Sequence, residues 1–198
     1  NKNDLNVKII YQNGQFSLPI ENADEFPQTQ SVSDSAVSID ISSALLAENI
    51  SRSVFATAQD ELRPVMNGIY FDITPECLTI VATDGHKLVR NKLFDISNPT
   101  TSSFILAKKP ANILKNMLAK DGSMVNIKFD DRNAEISFSG NKLVCRLIEG
   151  RYPNYSSVIP QNNPNSLQID RESLLSALKR VQPFASDSSN LIRFHIEG

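Results

Sequence analysis

The 198-residue sequence contains no tryptophan and has only two cysteines and two histidines. Its seven glycines never fall in the spacing of a phosphate-binding loop or of a dinucleotide-binding turn. The Gly-x-Ser-x-Gly motif of serine hydrolases is absent, and no cluster of cysteines and histidines has zinc-ligand spacing. These absences exclude the common nucleotide-binding, serine-hydrolase and zinc-site patterns, and the sequence predicts no metal and no cofactor.

Long apolar runs are also missing, both at the length of a membrane span and at the length of a signal-peptide core. The chain begins with asparagine rather than methionine, and we expect a soluble, cytoplasmic fragment of a longer protein. Cys77 and Cys145 lie far apart in apolar strand patterns, which favours two reduced thiols over a disulfide. The net charge of -2 argues against tight, charge-driven nucleic-acid binding by the whole surface.

The apolar periodicity predicts an α+β fold. A hairpin with its turn at Asn13-Gly14 is predicted over 6–20, and a polar linker over 21–35. One helix should be capped by Ser42 or Ser43 and carry Phe55 on its apolar face. A second helix should start near Pro110 and end near Lys120, with Ile113, Leu114, Met117 and Leu118 as its apolar residues. Strands are predicted at 37–41, 65–73, 77–83, 88–93, 104–106, 125–129, 136–138 and 143–147.

The pattern then starts again after residue 165. A strand at 167–169, a helix, Phe184-Ala185 and a strand at 191–196 retrace the order of the first module. This repetition indicates one complete module followed by the beginning of a second.

The stretch 81–89 joins two apolar strand segments through a polar Asp-Gly corner, which is a strong turn signal. Thr83, Asp84, His86 and Lys87 place a hydroxyl, a carboxylate, an imidazole and an ammonium in this corner. The patch is therefore a candidate catalytic site or a candidate docking surface. A hydrolase using Asp84 and His86 is the weaker alternative, because two residues so close in a turn need not face each other.

Two other segments allow two interpretations each. Lysines on or just before the second helix either form a solvated face or make weak, sequence-independent phosphate contacts. The closing loop 149–160 carries Tyr152, Pro153, Tyr155 and Val158 without regular period. Such a loop either packs under its own domain or lines a groove for a partner.

Three segments, RPVMNGIYFDI, TIVATDGHKLV and LIEGRYPNYSSVIP, closely resemble the bacterial sliding clamp, the β subunit of DNA polymerase III. The resemblance implies a clamp fold whose modules each pack two helices on antiparallel sheets. Three such modules form a subunit, and two subunits close head to tail around duplex DNA. Residues 1–33 would be the end of domain I with its linker, 34–161 the complete domain II, and 162–198 the start of domain III.

The implied function is non-catalytic and gives the polymerase processivity in the bacterial cytoplasm, at the nucleoid. Polymerase, clamp-loader and repair proteins would bind through short Leu/Phe-containing peptides in a pocket between domains II and III. The resemblance assigns to that pocket Arg63, Met66, Thr83, Gly85, His86, Lys87, Leu88, Pro153, Tyr155 and Val158.

The same resemblance implies two further surfaces. The DNA-facing residues would be Arg52, Lys108, Lys109, Lys115 and Lys120, and the homodimer interface would contain Phe16, Leu18, Pro183 and Phe184. This chain departs from the family at two points. Lys87 stands where some relatives have arginine, and Arg63-Pro64-Val65 replaces an arginine followed by two aromatics that touch DNA in some clamps.

Overall fold

The computed structural model describes residues 6–26, 31–119, 121–186 and 190–195. Backbone contacts divide the chain into two compact units, residues 1–153 and 154–198. Among the described residues, no helix is long and apolar enough to cross a membrane.

The first unit begins with the predicted hairpin, formed by β1 (Asn6–Tyr11) and β2 (Gly14–Pro19). The strands are antiparallel, and Ile9 lies opposite Phe16 in the register. The aromatic rings of Tyr11 and Phe16 stack with centroids 5.5 Å apart. Gly14 is the first residue of β2 rather than part of the turn, so the turn lies one residue earlier in the chain than predicted. In the described part of the linker that follows, Ala23–Glu25 form a 3-10 turn.

The rest of the first unit consists of two four-stranded antiparallel sheets and two helices. The first sheet has the order β10-β9-β8-β3, and the second has the order β6-β5-β4-β7. The strands are β3 (Val37–Ser42), β4 (Gly68–Ile73), β5 (Leu78–Thr83), β6 (Leu88–Leu93), β7 (Ser102–Ala107), β8 (Met124–Phe129), β9 (Asn133–Phe138) and β10 (Asn141–Arg146). The helices are α1 (Ser43–Ser53) and α2 (Lys108–Met117). The predicted α+β class is therefore confirmed.

Helix α1 packs on the sheets through Leu46 and Ile50, which are fully buried and one turn apart. Each buried side chain of this size stabilises the fold by about 1.5–3 kcal/mol. Ser42 occupies the predicted N-cap position, but its side chain makes no capping hydrogen bond. The Ser43 hydroxyl instead donates to the carbonyl oxygen of Ala119 at 2.8 Å, which ties α1 to the end of α2.

The helix ends one turn earlier than its apolar pattern predicts. Residues Val54–Ala56 form a 3-10 turn, which advances about 120° per residue instead of 100°. Val54 stays buried, but Phe55 is 61% exposed. The prediction that Phe55 shares the apolar face is therefore wrong.

Helix α2 begins at Lys108, so Pro110 occupies its third position, where a missing N–H costs no helical hydrogen bond. Ala111 and Leu114 are fully buried and Leu118 is buried, whereas Ile113 and Met117 are exposed. The predicted apolar stripe is thus confirmed for Leu114 and Leu118 and wrong for Ile113 and Met117.

The second sheet is covered on both faces. All six residues of β5 are buried. The helices cover one face, and the loop after β10 runs along β7, where the Ile148 N–H donates to the Ile105 carbonyl at 3.0 Å. The same loop buries Tyr152, so its first part packs under its own module, whereas Val158 in its second part is exposed.

The second unit contains helix α3 (Arg171–Val181), followed by a 3-10 turn, Gln182–Phe184. Asp170 caps the helix, because its Oδ1 accepts the Ser173 N–H at 2.8 Å. Helices α1 and α3 both span 11 residues and both continue into a three-residue 3-10 turn, which supports the repeat seen in the sequence. The strands predicted at 167–169 and 191–196 are wrong for the described residues, which have no partner strand to form a ladder.

Candidate functional site

Four residues, 84–87, connect β5 to β6 and form the predicted polar corner. The Thr83 hydroxyl fixes both ends of this connection, donating to the Lys87 carbonyl at 2.7 Å and accepting the Gly85 N–H at 3.1 Å. Gly85 has a φ of 90°, a left-handed conformation that side-chain-bearing residues rarely adopt. The corner therefore has a defined shape set by its own sequence.

Asp84 holds the centre of the corner. Its Oδ1 accepts the N–H groups of His86 and Lys87, both at 2.9 Å, and its Oδ2 pairs with the Lys87 ammonium. The Lys87 ammonium, followed by the two backbone N–H groups, keeps the pKa of Asp84 far below its usual value. The carboxylate is thus engaged by main chain and lysine rather than by the imidazole. This geometry gives no support to the Asp84 and His86 hydrolase.

A second segment lies against the corner. Arg63 precedes the 3-10 turn Pro64–Asn67, and its Nη1 is 3.3 Å from the position that a Cβ on Gly85 would occupy. Met66 is buried, and its Cε is 3.9 Å from the same position. The structure therefore brings three predicted pocket residues, Arg63, Met66 and Gly85, into one place.

The remaining predicted pocket residues divide between the two units. Thr83, His86, Lys87 and Leu88 belong to the corner and its flanking strands, and Pro153 ends the first unit. Tyr155 and Val158 form the ends of a 3-10 turn in the second unit, and Val158 is 67% exposed. Membership of these residues in one pocket stays a prediction from the resemblance.

The sequence reasoning missed two residues behind Arg63. Asp60 Oδ2 accepts a hydrogen bond from Arg63 Nε at 2.8 Å, and the Asn67 side chain bonds the backbone of Asp60 on both sides. The available signal was an aspartate three positions before an arginine, next to a proline that starts a turn. The hydrogen bond from the Arg63 side chain is the main reason that the pKa of Asp60 lies below its usual value.

A cleft of about 670 Å³ lies between α1 and α2. It is lined by Ala44, Ala47, Glu48, Ser51, Arg52, Lys115 and Asn116. Of the predicted DNA-facing residues, Arg52 pairs with Glu48 at 2.5 Å. Lys108 and Lys109 open α2, Lys115 lies in its last turn, and Lys120 is outside the described residues. The cleft thus contains Arg52, which is paired with Glu48, together with Lys115.

The predicted interface residues are exposed apolar side chains. Phe16 and Leu18 lie on one face of β2, with 60% and 51% of their surfaces exposed. Pro183 and Phe184 lie in the 3-10 turn after α3, and Phe184 is 88% exposed. Exposure of this kind is compatible with an interface, but the assignment stays a prediction.

Comparison with known proteins places the chain in the class of DNA polymerase clamps. The crystal structure of the DNA polymerase sliding clamp from Bacillus subtilis matches with a TM-score of 0.83 and 25% identity, over 93% of this chain and 49% of that chain. The beta sliding clamp of Synechococcus elongatus is 28% identical over 199 residues, 98% of this chain and 53% of that protein. The beta sliding clamp of Borreliella burgdorferi is 32% identical over 160 residues, 80% of this chain and 41% of that protein.

The family described as DNA polymerase III beta subunit, central domain, matches residues 40–154. The chain belongs to the DNA polymerase III beta subunit family. It spans about half the length of the relatives that it matches.

Proposed function

We propose that this chain is part of a sliding clamp that encircles duplex DNA and tethers the replicative polymerase to it. The observation that carries the proposal is the match of the family's central domain to residues 40–154, together with the clamp fold of the first unit. The role is non-catalytic. A closed ring cannot leave DNA sideways, so processivity needs little phosphate affinity, in keeping with a net charge of -2.

The domain boundaries are part of this proposal. Residues 34–161 would form the complete central domain, with 1–33 from the domain before it and 162–198 from the domain after it. The repeated helix and 3-10 turn of α1 and α3 support two modules of one kind. In the assembled homodimer, Phe16 and Leu18 of one subunit would meet Pro183 and Phe184 of the other. The place of action would be the bacterial nucleoid.

The corner and the segment around Arg63 would bind partner proteins. Leu88, which is half-buried, and Pro153, which is exposed, would supply apolar surface for leucine and phenylalanine anchors, each worth about 1.5–3 kcal/mol when buried. Thr83 and Lys87 are held by the hydrogen bonds of the corner and would orient the peptide without chemistry. The partners would be polymerase, clamp-loader and repair proteins that carry short Leu/Phe motifs.

A labelled Gln-Leu-x-Leu-Phe peptide, titrated against the chain, tests the groove. Pro153→Glu should abolish binding, because an unpaired carboxylate in an apolar groove carries a desolvation cost of several kcal/mol. Gly85→Glu is a poorer test, since Arg63 Nη1 lies close enough to pair with the new carboxylate. Val158→Glu examines the predicted pocket member in the second unit.

Phe94→Glu is the matched control, because Phe94 is 71% exposed and is not a predicted pocket residue. It should bind the peptide like the parent chain. Equal binding by Pro153→Glu and the parent would show that the groove lies elsewhere.

A further inference from the structure

The Arg63 guanidinium is restrained by one charge-assisted hydrogen bond. Arg63 Nε donates to Asp60 Oδ2 at 2.8 Å, and among the described residues Asp60 is the only acceptor that this guanidinium has. A bond at Nε restrains the planar group and leaves both Nη groups available as donors. The side chain is about half exposed, so these donors are open to a ligand.

Asp60 is itself held on three sides. Its Oδ1 accepts the Leu62 N–H at 2.9 Å, which fixes the carboxylate relative to its own loop. Its main-chain N–H donates to Asn67 Oδ1 at 2.9 Å, and its carbonyl accepts from Asn67 Nδ2 at 3.0 Å. The half-buried Asn67 thus attaches the loop to the turn that precedes β4. The Asp60 carboxylate is therefore held in place, and it restrains the Arg63 side chain that it binds.

The held guanidinium lies on the polar corner. Its Nη1 is 3.3 Å from the position of a Cβ on Gly85, and the corner in turn is fixed by the hydrogen bonds of Asp84. Two preordered segments therefore meet at the guanidinium. A flexible arginine on the surface would reach this place only part of the time and would lose side-chain entropy each time it bound a ligand.

We propose that Asp60 is a positioning residue that holds Arg63 against Gly85, so that the Nη groups donate hydrogen bonds to acceptor oxygens of a bound partner peptide. This inference rests on the proposed function of the groove. Asp60 does not touch the peptide and acts through Arg63 alone. The chemistry that the site recognises is a carbonyl or carboxylate oxygen placed beside the apolar anchors, which the planar guanidinium binds with two N–H groups.

A double-mutant cycle tests the inference, with the same labelled peptide and fluorescence anisotropy as the readout. Asp60→Ala should weaken binding about three- to tenfold, the cost of ordering one long side chain on binding. Arg63→Ala should weaken it at least as much. The double variant should bind no more weakly than Arg63→Ala, because without Arg63 the aspartate has nothing to position.

Two further variants separate positioning from damage to the fold. Asp60→Asn keeps the acceptor for the Leu62 N–H but loses the charge, so its effect should be smaller than that of Asp60→Ala. Glu48→Ala breaks the comparable pair of Glu48 with Arg52 on α1 and should leave peptide affinity unchanged.

The inference is overturned if Asp60→Ala binds like the parent, or if it weakens binding by the same factor with and without Arg63. A parent chain that binds no peptide at all would instead contradict the proposed groove. Thermal unfolding of each variant shows whether the loop has lost its structure.

Discussion

The ring of Tyr152 lies flat on the ring of Tyr70, with centroids 4.6 Å apart and planes only 3° apart. Tyr70 belongs to β4, and Tyr152 belongs to the loop that covers the second sheet. The stack therefore attaches the closing loop to the sheet beside the end of β5. Among the described residues, the buried Tyr152 hydroxyl has no well-formed hydrogen bond, although the Thr83 backbone is close enough to lower its pKa slightly.

We predict that Tyr152→Phe leaves the free energy of unfolding unchanged or raises it by up to about 1 kcal/mol. The substitution keeps the stack and removes a buried polar group that lacks a good partner. Tyr152→Ala should cost about 3–5 kcal/mol, because it removes the ring. Urea unfolding measures both. Tyr70→Phe is the control, since the Tyr70 hydroxyl bonds Ser103 and its loss should cost about 0.5–1.5 kcal/mol.

The buried hydroxyl of Tyr152 predicts a loss of stability at alkaline pH. Burial raises the pKa of Tyr152 to about 12, from an ordinary value of 10.0 in the unfolded chain. The folded state therefore keeps the proton at a pH where the unfolded state loses it. The stabilisation is complete below pH 10 and is lost as the pH rises toward 12. Tyr152→Phe should flatten this loss, and an unchanged alkaline profile would contradict the assignment.

Periodicity predicted the strands of the first unit because the alternation of buried and exposed positions is visible in the sequence of each strand. Ile39 and Ile41 in β3, and Val125, Ile127 and Phe129 in β8, alternate with exposed or half-exposed residues as a one-sided sheet requires. The hairpin at the start, both helices and the polar corner follow from equally local signals. The two free cysteines are likewise confirmed, with Cys77 buried and Cys145 half-buried.

The failures have two causes, which are hydrogen bonds to distant residues and local changes of helix geometry. Ser43 was a good cap by sequence, but its hydroxyl is used by Ala119, far along the chain. Phe55 followed the helical period until the helix tightened into a 3-10 turn. In the site, the role of Asp60 requires Asn67 and Arg63 together, and no single-residue pattern indicates that arrangement.

We predict that Asp84→Ala lowers the free energy of unfolding by about 1–3 kcal/mol. The substitution removes the acceptor for two main-chain N–H groups and the partner of the Lys87 ammonium. Peptide affinity should fall with it, because the corner loses its shape. Asp84→Asn keeps one acceptor oxygen and should have a smaller effect. Equal stability of Asp84→Ala and the parent would show that Thr83 alone holds the corner.

Acid should weaken the corner in the parent chain but not in Asp84→Asn. The pKa of Asp84 is lowered below its usual 3.8, chiefly by the Lys87 side chain, so the folded state favours the carboxylate. Its stabilisation is present above pH 3.8 and is lost progressively as the pH falls toward the folded pKa. The difference in stability between parent and variant, measured by urea unfolding from pH 7 to pH 2, should therefore shrink with falling pH.

We predict weak, salt-sensitive binding of duplex DNA, dominated by the lysines of α2. Lys109→Ala and Lys115→Ala should each reduce the slope of log affinity against log salt by about 1, equally for all sequences. Arg52→Ala should do less, because Glu48 neutralises Arg52. Glu48→Ala should strengthen binding by releasing that arginine. Electrophoretic shifts at several salt concentrations measure these effects, and tight, sequence-selective binding at physiological salt would contradict a sliding function.

The last prediction concerns the hairpin β1–β2, whose two faces differ. Val7, Ile9, Tyr11, Phe16 and Leu18 share one face, while Lys8, Ile10, Gln15 and Ser17 share the other. Every residue of both strands is exposed, so the apolar face has no cover among the described residues of this chain. Burial of Phe16 and Leu18 against a second subunit would gain about 1.5–3 kcal/mol for each side chain.

We therefore expect concentration-dependent association of this chain, measured by sedimentation velocity. Phe16→Asp should shift the chain to monomer, because it places a charge in the apolar face. Ile10→Asp introduces the same charge on the opposite face, where Ile10 is 74% exposed, and should leave association unchanged. If both variants associate like the parent, the hairpin is not the interface.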